Sequence, residues 1–338
     1  MMKYNYIFFN TPDKFTRVDK DGYYSICVED LRKLNNVRVI SCPLEHKSVL
    51  LRKMHALHVS DAVNDRVRLP FKKVWFPHIF DESLIEVADR TCFISLASYI
   101  SSDYLDYLKR RYPMSKYVML RRDLIHLYQK RHPEWTNEWM HRSFDIVMSY
   151  DKYEAERYGM IYFNEFESKI RLETERKPAD CEVDVFFAGL AKDRLGMVME
   201  AYDIFASSGL KCDFYLVGVP AEKRERKEGV KYADSFMPYK QMLERTVNAK
   251  CVLEINQKGA VGYTSRFLEA IMYGRKLITN NTLIRDTQYY DSRQIQCVDR
   301  VGDINPKFVR EDCGNYHYDY KDEFSPVRLI EQIDGLLP

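Results

Sequence analysis

Short apolar runs, each closed by glycine, proline or polar residues and separated by segments long enough for a helix, recur through nearly the whole chain. In the first half they fall at 4–9, 37–41, 73–76, 92–96, 117–120 and 145–149, with breakers such as Asn10-Thr11-Pro12-Asp13 and Pro77-His78 behind them. Helices are expected at 102–111, ended by Pro113, and at 124–130, ended by Pro133. The second half restarts the alternation more cleanly, with strands at 183–188, 214–217, 251–255, 276–279 and 295–298 and helices at 195–207, 240–249 and 265–273. Strands covered on both faces read as continuous apolar runs, and strands alternating with helices pair in parallel through crossovers. The pattern therefore predicts an α/β chain with two Rossmann-like, doubly wound parallel sheets, and 338 residues suffice for two such domains. The charged stretch 173–180 is the most linker-like. It divides the chain into a first domain at 1–165, a linker at 166–180, a second domain at 181–315 and a tail at 316–338. The tail carries Val327, Leu329, Ile330, Ile333 and Leu336 at helical spacing and is expected to pack back on the first domain.

Composition removes several classes of function. Basic and acidic residues nearly balance, 52 against 50, which argues against wholesale nucleic-acid binding and leaves any anionic partner to a local patch. The eight cysteines form no CxxC pair, and no histidine pair stands at metal spacing. They read as buried thiols in a reducing compartment. No window approaches 18 apolar residues, and the apolar stretch at 1–9 is too short and too polar for a signal peptide. The expected location is the cytosol, or the inner surface of a membrane as a peripheral protein. The 25 tyrosines and 18 phenylalanines suit carbohydrate handling, although such a composition is also common without it.

The most informative stretch is 254–279, read as strand, glycine-containing loop, helix, strand. In an open α/β sheet ligands sit at the carboxyl ends of the strands, where a loop leads into a helix. The helix start offers unpaired N–H groups and a positive dipole end, which together favour a diphosphate. Gly262 lets the backbone approach phosphates closely. Tyr263 follows it in the loop, Thr264 either caps the helix or donates its hydroxyl to a phosphate oxygen, and Arg266 adds a charge-assisted contact. Glu269 lies among apolar neighbours, Phe267, Leu268, Ala270, Ile271 and Met272. A carboxylate so placed needs a buried partner, and the cis-diol of a ribose supplies one. The competing reading puts Glu269 on the exposed stripe of an ordinary amphipathic helix.

Gly262, Thr264, Arg266, Glu269 and Ala270, followed by Lys276 to Asn280, resemble the nucleotide-sugar signature of bacterial GT-B glycosyltransferases of the surface-polysaccharide and lipopolysaccharide type. The stretch 184–189, with Lys192 and Arg194 behind it, is similar to the first donor-domain strand of that family, and Phe144 to Asp151 resembles its last strand before the crossover. The resemblance implies two Rossmann-like domains facing a cleft and a hexosyltransferase-like transfer that needs no metal or other cofactor. The donor would be a nucleoside-diphosphate sugar and the acceptor a glycan or lipid-linked glycan. It implies phosphate or donor-sugar contacts at Gly189, Lys192 and Arg194, and base contacts near Pro238 and Tyr239. Gln257, after the third strand of the second domain, faces the presumed donor site. Many retaining relatives carry a second glutamate eight positions before the first; here that position is Val261, which leans toward inversion or a retaining subgroup without that glutamate. No G-x-G-x-x-G or Walker A sequence is present, which argues against a dinucleotide oxidoreductase and an ATPase.

An inverting transfer needs a base to take the acceptor proton. Asp13, His46, His78, Asp103 and Asp123 follow strands of the first domain, and Asp13 and His78 are the chosen pair. The stretch 109–142 holds nine Lys/Arg against three Asp/Glu, interleaved with Trp135, Trp139, Tyr112, Tyr117 and Tyr128. It fits an anionic membrane surface, or equally a solvated basic face with its tryptophans in the core. Two rivals remain: a nucleotide-sugar epimerase on the same fold and a non-catalytic scaffold.

Overall fold

The structure, a computed structural model, describes residues 2–10, 21–40, 48–59, 63, 67, 69–96, 101–122, 124–129, 133, 135–256, 262–311 and 318–338. Two units make it up: Met1–Ser168 with Phe324–Pro338, and Lys169–Glu323. Each is built on a six-stranded sheet whose pairings are all parallel.

The first sheet contains β1 (Asn5–Phe9), β2 (Val37–Ile40), β3 (Thr91–Leu96), β4 (Lys116–Arg121), β5 (Ile146–Ser149) and β6 (Ile161–Tyr162), in the order β2-β1-β3-β4-β5-β6. Alternate residues face opposite ways. Ile7, Phe9, Phe93 and Met119 pack with Tyr104, Leu105 and Leu108 of the Ser102–Arg111 helix. Tyr6, Phe8, Ile94 and Val118 pack with Leu329, Ile330 and Ile333 of the Pro326–Leu336 helix. The last helix of the chain is thus a layer of the first unit, fastened by Tyr6 donating to Asp334 at 2.6 Å and Ser325 donating to Asp30 at 2.9 Å.

Some expected elements differ. The run at 73–76 is not a strand: it forms the Lys72–Trp75 helix and the Phe76–His78 turn. Phe76 and Phe80, four residues apart, enter the core together, a helical spacing that four apolar residues alone do not reveal. Residues 152–158, where no period was visible, form a helix capped by Asp151 and stopped by Gly159 at φ 65°. The Tyr239–Thr246 helix stops short of 249 because Ala249 already begins a strand. Among the described residues Cys27, Cys92, Cys181, Cys212 and Cys251 are buried; Cys42 and Cys313 lie outside them.

The second sheet contains β7 (Val183–Leu190), β8 (Cys212–Val217), β9 (Val230–Ala233), β10 (Ala249–Glu254), β11 (Lys276–Thr279) and β12 (Ile295–Cys297), ordered β12-β11-β10-β7-β8-β9. Counted within the unit this is 6-5-4-1-2-3, the Rossmann order, and it reverses between β7 and β10. The Leu195–Ser207 helix packs on Val185, Phe187, Cys251 and Leu253. The Tyr239–Thr246 and Ser265–Met272 helices lie against β10, the first also against β7 and the second against β11.

Candidate functional site

Cys251 and Leu253 of β10 face the Leu195–Ser207 helix, so strand alternation turns Val252 and Glu254 the other way. Glu254 is 2% exposed. The parallel register sets it beside Thr279 of β11. Its carboxylate accepts from the Thr279 hydroxyl and from the Thr264 hydroxyl. Thr264 is the N-cap of the Ser265–Met272 helix, its Oγ1 accepting from the Arg266 N–H at 3.1 Å. One buried carboxylate therefore ties a helix start to two neighbouring strand ends. Burial pushes its carboxyl upward, and the two hydroxyls, Arg266 and Arg194 pull the other way.

The loops around it are fixed in the same manner. The Asn256 N–H donates to Asn280 Oδ1 at 2.7 Å, and Asn281 Nδ2 donates to the Gly262 carbonyl at 3.2 Å. Asn256 Nδ2 is buried with no partner among the described residues.

Arg194 reaches across the point where the strand order reverses. Its Nε donates to the Leu190 carbonyl at 3.0 Å, and an Nη donates to the Ile255 carbonyl. Gly189 makes room for it: a Cβ there would come within 2.9 Å of the guanidinium. Among the described residues Arg194 has no salt-bridge partner; burial, then the nearby Arg266, lowers its pKa. Lys192, just before it, is exposed and holds φ at 44°, a left-handed conformation that side chains disfavour.

Glu269 is completely buried. Its Oε1 accepts from the Tyr239 hydroxyl at 2.8 Å and its Oε2 from Arg266. Burial raises its carboxyl, and Arg266, then Tyr239, act against that. It is not on an exposed stripe, and its neighbours already include a cation and a hydroxyl. Tyr263 is half-buried and stacks on Phe267 at 4.9 Å.

The structure therefore gathers Gly189, Arg194, Gly262, Tyr263, Thr264, Arg266 and Glu269 at the carboxyl end of the second sheet. The Thr264 hydroxyl is committed to capping and to Glu254 rather than offered outward. Pro238 is the N-cap of its helix, and the hydroxyl of the buried Tyr239 is turned to Glu269. Gln257, Asp13, His46 and Asp123 fall outside the described residues. His78 ends a 3-10 turn, and Asp103 is exposed in the first turn of its helix. Sequence reasoning missed Glu254, Thr279, Asn256, Asn280 and Asn281. Glu254 carried a visible signal, an acid inside an apolar strand.

Two of the five aromatic residues of the basic stretch 109–142 belong to the core. Trp135 and Tyr117 are buried in the first unit's core, and Trp139 stacks on Trp135 at 5.9 Å. Lys116, Arg121 and Arg122 pair with Asp145, Glu154 and Glu165. Among the described residues no helix is long and apolar enough to cross a membrane, and no cluster of His, Cys, Asp or Glu forms a metal ligand set.

Two Rossmann-like parallel sheets in one chain define the GT-B fold class. No protein-family model matches the chain, and no curated protein does. Among solved structures it is similar to an α-glucosyltransferase (AGT) in complex with UDP, with a TM-score of 0.50 and 13% identity over 97% of this chain and 90% of that one. The glycosyltransferase SnogD from Streptomyces nogalater aligns with 99% of this chain and 96% of its own at 10% identity and a TM-score of 0.43. An α,α-trehalose-phosphate synthase (UDP-forming) from Burkholderia vietnamiensis aligns over 82% of each chain at 8% identity and a TM-score of 0.47. At these identities the likeness is one of fold, and the first of the three carries it.

Proposed function

We propose that the chain is a glycosyltransferase that takes a sugar from a nucleoside-diphosphate sugar and passes it to a hydroxyl of a glycan or glycolipid acceptor in surface-polysaccharide assembly. The observation that carries this reading is the placing of Arg194 and Arg266 near the start of the Ser265–Met272 helix, with Arg194 held by two backbone carbonyls and, among the described residues, in no salt bridge. Two guanidinium groups near a helix N-terminus, at the reversal point of a Rossmann sheet, favour an anion with more than one negative charge. UDP is the first nucleotide to try, because the AGT neighbour binds it.

In this reading Gly262, held by Asn281, lets the backbone approach the diphosphate, with exposed Lys192 beside it. Glu269 takes the ribose diol. Each of its oxygens keeps a second lone pair. Because Glu269 is completely buried, access for the diol is proposed to come from Arg266 swinging toward the phosphates, so that donor binding exchanges one partner of Glu269 for another. Tyr239 stays to hold the carboxylate in place. Asp13 and His78 are the proposed bases for the acceptor proton, His78 now behind a helix and a 3-10 turn rather than the expected strand, and Val261 in place of a second glutamate fits inversion or a retaining subgroup without that glutamate. No step calls for a metal.

Thermal-shift screening against UDP, GDP, dTDP and CMP tests the site. A shift with UDP is expected. Arg194→Met should weaken binding by about 1.5–3 kcal/mol, roughly ten- to hundredfold in Kd, the worth of a charge-assisted contact. Glu269→Gln should weaken it as well. No shift with any nucleotide overturns the reading. Conversion of the UDP-sugar to another sugar nucleotide without acceptor would indicate an epimerase instead.

A further inference from the structure

Apolar side chains left in solvent concentrate in one part of the first unit. Leu50, Met54 and Leu57 on the Val49–Val59 helix, Val67, and Phe71 and Val74 at the Lys72–Trp75 helix are all exposed, with Leu50 at 66%, Phe71 at 79% and Val74 at 65%. Solvated surfaces scatter such residues singly; a cluster marks an interaction face. The two helices touch each other. His58 fastens them: its buried ring stacks on Trp75 at 5.0 Å, Nδ1 pairs with the Met54 carbonyl at 2.9 Å and Nε2 with the Pro70 carbonyl at 3.4 Å. The inner side of the hairpin is thus occupied, and the outer side is the apolar one.

Phe71 adds a second observation. It sits at φ 60°, ψ 20°, left-handed backbone that a bulky residue rarely adopts. Strain and apolar exposure meet on one residue that leaves most of its surface in solvent.

Charge chooses the partner. Residues 49–80 hold six basic residues, Arg52, Lys53, Arg66, Arg68, Lys72 and Lys73, against two acids, Asp61 and Asp65. Lys53 and Lys73 are exposed among the apolar residues. Phosphates of a nucleic acid would meet the lysines but leave Leu50, Phe71 and Val74 wet. A bilayer with anionic headgroups satisfies both, taking the apolar side chains into its interfacial region and the lysines at its phosphates. We propose that this hairpin docks the chain on an anionic lipid surface. The proposal stands apart from the donor site.

The test is co-sedimentation of the full chain with phosphatidylcholine vesicles, with and without phosphatidylglycerol. Binding is expected with the anionic vesicles, weakened by added salt and much lower without phosphatidylglycerol. Lys53→Glu with Lys73→Glu should weaken it at least about tenfold, each lysine near such a surface being worth about fivefold. Leu50→Ser with Phe71→Gly should do the same, and glycine accepts the left-handed backbone. An unchanged melting temperature shows each variant folded. Absence of the wild type from anionic vesicles, wild-type binding by both folded double variants, or tighter binding to a DNA duplex than to vesicles would each overturn the proposal.

Discussion

Glu254 joins groups from three separate stretches of chain: its own strand, the cap residue Thr264 and Thr279 of the neighbouring strand. Its carboxyl and that of Glu269 are both pushed above the usual value of 4.5 by burial. A folded-state pKa above the unfolded one means that the folded protein holds the proton more tightly. The contribution of such a group is full below pH 4.5 and is lost as pH rises through the raised value. Glu254→Gln removes one of the two terms. The stability of this variant relative to wild type should therefore climb as pH rises from 4.5 and level off above the raised pKa, measured by urea denaturation across that range. Parallel curves would contradict the assignment. Glu269 was legible in the sequence because an acid between Leu268 and Ala270 on an apolar helix demands a partner. The same reasoning finds Glu254 between Leu253 and Ile255. What could not be read was which partners they take, since Tyr239, Thr264 and Thr279 reach them only through folding.

At the scale of elements, the Ser265–Met272 helix and the strands around it follow from local signals: Thr264 as cap, Gly274 at φ 61° beyond the end, and apolar runs in β10 and β11. Where local signals were thin, the reading failed. The run at 73–76 looked like a strand and is helical. β9 has Lys231 exposed and carries little apolar signal, and β6 is two residues long. The final helix was legible from its spacing, and its place in the first unit is energetic as well as topological. Ile330 is completely buried between the helix and the sheet face of Tyr6 and Phe8. Ile330→Ala should cost about 2–5 kcal/mol of stability in denaturant unfolding. A loss below about 1 kcal/mol would show that this layer contributes little to the unit.

At the scale of the whole molecule, alternation of apolar runs and helical segments pointed to two parallel sheets, and the strand order of the second runs outward in both directions from the β7–β10 pair. Charge counting was less informative. The stretch 109–142 is basic by composition, yet Lys116, Arg121 and Arg122 are paired and Trp135 is core. The exposed apolar side chains of the Val49–Val59 and Lys72–Trp75 helices were invisible because exposure is not a property of sequence. The proposed place for a nucleoside diphosphate is the start of the Ser265–Met272 helix, beside Arg194. Hydrogen–deuterium exchange with and without UDP tests it most directly. Saturating UDP should slow exchange of the amides at 189–194 and 262–268, and a pattern that leaves 262–268 unchanged while UDP is bound would contradict it.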